Sequence, residues 1–400
     1  MTDQALLPPV LAPRPASTAA ERRLSERIFL LARTRALRVP SLHPRHGGLA
    51  LCGPDAVEKL RELRRRGHSG LLIADPAFYE NDVATDDQPF TFTADDLFGH
   101  GLDRELELQL DSGATVALTP TRYLRAGDRG ALRAVVTAAQ DIDRVGTVVM
   151  IPAAVGWLLD SSIDLFLPAL ASIPHPVAIA LGGQFNPLDS HRKATTNLRR
   201  LLLEVPGTAL WRTDLAAFDS IAHGGPFASF GLTTALRHII PPDEKPQNRN
   251  GGGPVPPTVL LPELLRFSSG PALAKRYAGL EAPTCTCQVC RGAGLNRFDG
   301  YDGDTRAQAD AHNVAVWNEL LSALFSLRDL GNRQAWWRRL CMDAVNAHET
   351  ENIRIRQAGA FKPPKDVKRW VDLPVTHSPA PLPAAAPDPH QPGTSGTLLR

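Results

Sequence analysis

The sequence predicts an α/β fold, a (β/α)8 TIM-type barrel followed by a C-terminal zinc-binding subdomain. Short apolar runs alternate with helical patterns between residues 48 and 231, and three cysteines fall within six positions at 285–290. Strands alternating with helices build parallel sheets, and a long run of them in one domain favours a barrel over an open sheet.

The elements follow in order. Thr18 and Glu21 make a T-x-x-E capping box, and Arg22, Ile28, Leu30, Leu31 and Leu37 continue it as a helix. Residues 48–52 and 70–75 read as strands around a helix at 56–66. The alternating run 106–110 reads as a third strand leading into Asp111-Ser112-Gly113. Helices at 129–142, 160–172, 190–204 and 215–222 precede strands at 147–151, 177–181, 208–212 and 227–231. Residues 258–261 offer an eighth strand, after a polar Pro/Gly loop at 241–257. The barrel is thus expected over 18–282, and the zinc subdomain with its helices over 283–371. The proline-rich termini, 1–17 and 372–400, bury too little apolar surface to offset chain entropy and are expected to be disordered.

Composition narrows the function. Of 400 residues, 44 are Lys or Arg and 42 are Asp or Glu, which excludes a protein that coats nucleic acid along its whole length. A hydrophobic share of 43% excludes a wholly disordered chain. Five cysteines are too few for a disulfide scaffold. No apolar run reaches the roughly 18 residues of a membrane span, and the N-terminus lacks a basic start and an apolar core of signal-peptide type. A cytoplasmic protein is expected.

Cys285, Cys287 and Cys290 can wrap three thiolates around one ion. His312, at the start of an amphipathic helix, can complete a Cys3His tetrahedron. Such a closed zinc site organises structure and does no chemistry. Asp304, Asp310 and His348 are weaker candidates for the fourth ligand. Cys52 and Cys341 sit in apolar patterns and read as core.

A C-x-C-x-x-C followed by a histidine opening an apolar helix resembles the zinc motif of the tRNA-guanine transglycosylases. That family includes the queuine and archaeosine tRNA-ribosyltransferases and a branch that inserts 7-deazaguanines into DNA. The resemblance covers roughly 100–315 and implies a (β/α)8 barrel with Zn2+ bound after its last strand. It implies base exchange of guanine for a 7-deazaguanine in tRNA or DNA. Asp111 then takes the place of an acid/base Asp at an early strand end, with Ser112 and Gly113 beside it. Gly182 and Gly183 resemble a strand end that faces the base. The sequence also departs from the family. Ser229 falls on the nucleophile Asp, Thr233 and Ala235 on the Pro and Arg after it, and Ala114 on a glycine. The base-recognising Asp has no counterpart in 148–154.

Base exchange needs a nucleophile at C1′ and an acid for the leaving base. A serine does this only if a neighbour removes its proton; His223 and His238 lie within ten residues of Ser229. Asp75 and Asp214 are other carboxylates expected at the barrel mouth, with Asp219 just beyond, each more often a helix cap than a catalyst. The segment 333–370 carries nine Lys/Arg against four acids, with Trp336, Trp337 and Trp370 interleaved. That suits a phosphate backbone, or a solvated helix face with tryptophans in the core. The expected partners are nucleic acid, a guanine or 7-deazaguanine base, and a second copy or an active homologue, with helix 312–330 as contact. The readings are an exchange enzyme, a non-catalytic nucleic-acid-binding or partner subunit, and an unrelated barrel enzyme.

Overall fold

Apolar residues buried on both faces set the architecture. The computed structural model describes residues 19–34, 42–92, 101–246 and 255–377. Eight parallel strands are β1 (Arg27–Arg33), β2 (Gly47–Cys52), β3 (Leu72–Asp75), β4 (Ala117–Leu118), β5 (Thr147–Ala154), β6 (Val177–Gly182), β7 (Thr208–Thr213) and β8 (Phe227–Gly231). They pair in the order β3-β2-β1-β8-β7-β6-β5-β4. The two edges meet where Thr115 N–H donates to the Leu72 carbonyl at 2.7 Å and Leu72 N–H donates to Thr115 Oγ1 at 3.1 Å. The sheet is thus a nearly closed barrel.

Alternation along each strand fills the lumen. Phe29, Trp211 and Phe227 point inward, with ring centroids 6.1–6.5 Å apart. Ala50, Ala178, Ala180 and Ala209 leave room for them. Gly48 is required, because a Cβ there would strike the Phe29 ring. The lumen is a packed core.

Around the barrel lie α1 (Ala19–Leu24), α2 (Ala56–Arg65), α3 (Gly101–Asp111), α4 (Arg129–Gln140), α5 (Ile163–Ala171), α6 (Pro187–Ser190), α7 (Arg192–Glu204) and α8 (Ala216–Ala222). A hairpin of β9 (Thr258–Leu261) and β10 (Arg266–Ser269), α9 (Gly270–Arg276) and the long helices α10 (Gly303–Ser326) and α11 (Leu330–Arg354) follow, ending with α12 (Lys365–Asp372). Helix α10 covers β8: Trp317 stacks on Phe230 at 3.5 Å and packs on Phe218 of α8 at 4.7 Å. Trp337 of α11 then packs on Phe218, and Trp370 of α12 on Trp337, at 5.7 and 5.4 Å. No helix among the described residues is long and apolar enough to cross a membrane.

Three expectations are corrected. The helix expected from Arg22 to Leu37 ends at Leu24, and Ile28–Ala32 form the buried strand β1. The strand expected at 106–110 is the end of α3, whose buried face is Glu105, Leu106 and Gln109. That spacing is helical, and Leu, Glu and Gln are good helix formers. The possible eighth strand, 258–261, pairs only with β10, antiparallel and outside the barrel. The termini expected to be disordered, 1–17 and most of 372–400, lie outside the described residues; Thr376 N–H and His377 N–H bond Gln334 Oε1.

The Trp317 ring is 1% exposed and bridges three elements. Trp317→Ala is expected to cost about 3–5 kcal/mol, read from urea unfolding; a cost below about 1 kcal/mol contradicts the docking described.

Helix α12 docks through Asp366, which accepts Asn186 Nδ2–H at 2.8 Å. Burial, with Asp214 and Asp189 close by, pushes its carboxyl up to about 7. A raised acid favours folding while protonated. Its stabilising contribution is complete below its unfolded value near pH 4 and is lost as pH rises through about 7. Unfolding across that range is expected to show wild-type stability falling relative to Asp366→Asn; parallel profiles contradict it.

Candidate functional site

The cysteine loop is built by its own backbone. Thr284 pairs with Gly294 at its neck. Cys290 N–H and Arg291 N–H both donate to the Cys287 carbonyl, and Gly292 N–H closes on the Cys285 carbonyl at 2.8 Å. Gly292 takes a positive φ of 87°, so glycine suits the turn. The sulfurs face inward: Cys287 N–H and Cys290 N–H point at Cys285 Sγ and Cys287 Sγ at 3.5 and 3.4 Å, and Arg297 Nη2–H donates to Cys290 Sγ at 3.4 Å.

His312 completes the set from the third turn of α10. Its Nε2 bonds the Leu260 carbonyl at 2.8 Å, so Nε2 carries the proton. The Nδ1 lone pair is left facing Cys287 Sγ and Cys290 Sγ at 3.6 and 3.2 Å. Standard zinc–sulfur and zinc–nitrogen bonds at tetrahedral angles imply an S···N edge of about 3.6 Å. The four ligand atoms lie within 4.8 Å of one another, and all four residues are buried. Neither Asp304, Asp310 nor His348 belongs to this group; His348 Nδ1 instead bonds the Ala344 carbonyl. Burial pushes the Cys285 thiol up to about 12 and raises Cys290. A cation is what would turn these thiols into thiolates. The donor set fits a metal ion such as zinc. Four protein ligands leave no open position, so an ion held there would be structural. The neighbouring Asn313 works with it: its Oδ1 accepts Leu260 N–H at 2.7 Å and its Nδ2–H donates to the Thr258 carbonyl at 2.8 Å. Ligand and clamp together hold β9 against α10.

The strands' carboxyl ends form a second polar centre. Asp75 ends β3 inside the barrel, 2% exposed. It accepts Tyr79 O–H at 2.7 Å, Trp211 Nε1–H at 2.9 Å and Ala77 N–H at 3.0 Å. Burial raises its carboxyl above the ordinary aspartate range, against these bonds and the Arg212 charge. Arg212, from a bulge in β7 with φ of 49°, reaches Glu80 at 2.5 Å, and Arg33 reaches the same carboxylate oxygen at 2.6 Å. Burial pushes Glu80 up, but the two arginines outweigh it and hold its carboxyl below the usual range. Cys52 lies beneath them, its thiol pushed up to about 12 by burial. It is core, and Cys341 is buried as well.

The residues taken from the resemblance scatter. Asp111 is the exposed last residue of α3, at the amino end of the barrel, opposite the mouth. Ser112 Oγ donates to the Leu108 carbonyl and accepts Arg61 Nη2–H, and Gly113 turns the chain with φ of 93°. This is helix-end and turn chemistry. Ser229 does face the lumen, 0% exposed, and its Oγ accepts Arg212 N–H at 2.7 Å. His223 lies past the end of α8, where its Nδ1 bonds the Asp219 carbonyl. Burial holds His238 down at about 4. Gly182 and Gly183 are at the mouth, but residues 232–241 fold over them: Gly182 bridges Ile239, and Gly183 N–H donates to the Ile239 carbonyl at 2.8 Å. Leu236 and Ile239 fill that side of the mouth, 0% exposed. Asp214 accepts Ala216 N–H at the start of α8, and Asp219 pairs with Arg199 at 2.6 Å.

Sequence reading missed Tyr79, Glu80, Arg33 and Arg212. Their signal was Trp211-Arg212 closing a strand and Phe-Tyr-Glu just after Asp75. In the segment 333–370, Trp337 and Trp370 are fully buried and Arg333 pairs with Glu26, which is the core reading. No protein-family model and no curated protein matches the chain.

One zinc per chain is expected by atomic emission, falling to near zero in Cys287→Ser, with chelation lowering Tm. Full stability after metal removal would contradict a structural centre.

Proposed function

We propose that the chain is a tRNA-guanine transglycosylase-like zinc protein that binds nucleic acid without exchanging its bases, as a binding or partner subunit. The Cys3His group after the last barrel strand supports the likeness. Ser229 carries the rest of the reading. A nucleophile at this position needs an ionised oxygen, or a base within reach. Here the hydroxyl is buried and already accepts a main-chain N–H from Arg212. The two histidines near it in sequence do not activate it. His223 Nδ1 is spent on the Asp219 carbonyl at a helix end, and burial, by holding His238 down at about 4, makes its imidazole a weak base.

One observation favours the enzyme reading. Asp75, not Asp111, stands at the carboxyl end of an early strand, and its raised pKa suits a proton donor. Covalent exchange would still lack a nucleophile of the family's kind.

Protein would be mixed with tRNA or duplex DNA and labelled guanine, with complex formation and label incorporation read together. The expected result is a retarded complex with no incorporated label. Incorporation that is lost in Asp75→Asn overturns the reading in favour of the enzyme. Neither complex nor label overturns both and leaves a barrel acting on something other than nucleic acid.

A further inference from the structure

The amino ends of β1, β2 and β3 surround a cavity of about 430 Å³, on the face opposite the mouth. Arg27, His43 and His68 line it, with Ser69 and the backbone of Gly47 and Gly70. Its rim is basic. Arg45 and Arg23 are exposed there. Arg64 is held by the carbonyls of Gly113, His68 and Gly70, which fix the guanidinium without neutralising it. Two acids of this sector are engaged elsewhere, Glu26 with Arg333 and Glu62 with Lys59 and Arg66, while Glu319 lies beyond His43 in the adjoining hollow and Asp111 is exposed at the end of α3. The cations act on one another. Burial and then the Arg23 charge hold Arg64 below its ordinary range. Burial, His46, Arg27 and Arg45 do the same to His43. His68 Nε2 has no hydrogen-bond partner among the described residues.

Crowded cations around a cavity with donor side chains are complementary to a chain of phosphates. We infer that this amino-end face, rather than the mouth or helix α12, is where the phosphodiester backbone of a nucleic acid docks. The inference rests on the nucleic-acid reading above and deepens it. Phosphates would lie along Arg23, Arg27 and Arg45, with Arg64 as fixed charge beneath. Such an interface carries charge and no base recognition, so binding would be strongly salt-dependent and weakly sequence-dependent.

The test is fluorescence anisotropy of a labelled tRNA and a labelled DNA duplex across a salt series. Three full-length proteins are compared: wild type, Arg23→Glu/Arg45→Glu, and Lys365→Glu/Lys368→Glu. All four side chains are exposed, so folding should be kept, and circular dichroism checks it. The amino-end variant is expected to lose roughly tenfold or more in affinity. Its log–log salt slope is expected to fall by about 2, at roughly 0.9 for each phosphate that an arginine no longer neutralises. The α12 variant should bind within about twofold of wild type. Wild-type binding that the amino-end variant keeps, or that the α12 variant alone loses, overturns this surface while leaving the nucleic-acid reading standing. No wild-type binding to either probe overturns both.

Discussion

The hydrogen bond from His312 Nε2 to the Leu260 carbonyl decides which imidazole nitrogen faces the cysteines. It spans a sequence separation of 52 residues, so the four candidate ligands come together only when hairpin and helix are in register. A carbonyl bonded to the far nitrogen in this way fixes tautomer and ring orientation for a metal-bound histidine. The consequence extends into the barrel. Five residues on, Trp317 stacks against Phe230, whose strand closes the sheet on β1. The helix that covers the last strand is therefore tied in its third turn through His312 and five residues on by aromatic packing.

The mouth of the barrel shows the opposite economy. Barrels keep their chemistry at the carboxyl ends of strands, and this one places Asp75, Arg212 and Arg33 there. Yet these groups are already satisfied, the two arginines by Glu80 and Asp75 by Tyr79, Trp211 and Ala77, and the segment after β8 lays Leu236 and Ile239 over Gly182 and Gly183 at the end of β6. A buried, hydrogen-bonded polar network of this sort rigidifies its surroundings.

Much of this was legible in the sequence. Six of the eight barrel strands announce themselves as short apolar runs before turns, and the Cys3His group follows from spacing and residue type, with Asp304, Asp310 and His348 left as alternatives for its fourth member. The two strands that did not are instructive. Residues 28–32 carry a continuous apolar run, which buried strands and buried helices share, and the capping box upstream tipped the reading to helix. Strand β4 is two residues long, too short for any period. The alternation in 106–110 offered a substitute, while the helix really there buries Glu105 and Gln109, and Gln109 Nε2 and Oε1 bond the Leu118 backbone. Asp111 moved to the wrong end of the barrel with that misreading. The polar network at the mouth was hidden for another reason: Arg212 reaches it only through a bulge and a positive φ, which local sequence does not declare.

The central claim is that a metal-bound Cys3His group fastens the hairpin and α10 to a barrel that is otherwise complete. Hydrogen–deuterium exchange of the zinc-loaded protein, before and after chelation, tests it most directly. The account predicts that protection falls in residues 258–269, in the cysteine loop and over the first turns of α10, while β5, β6 and β7 stay protected. Unchanged exchange throughout, or a uniform loss that includes the central strands, would contradict it.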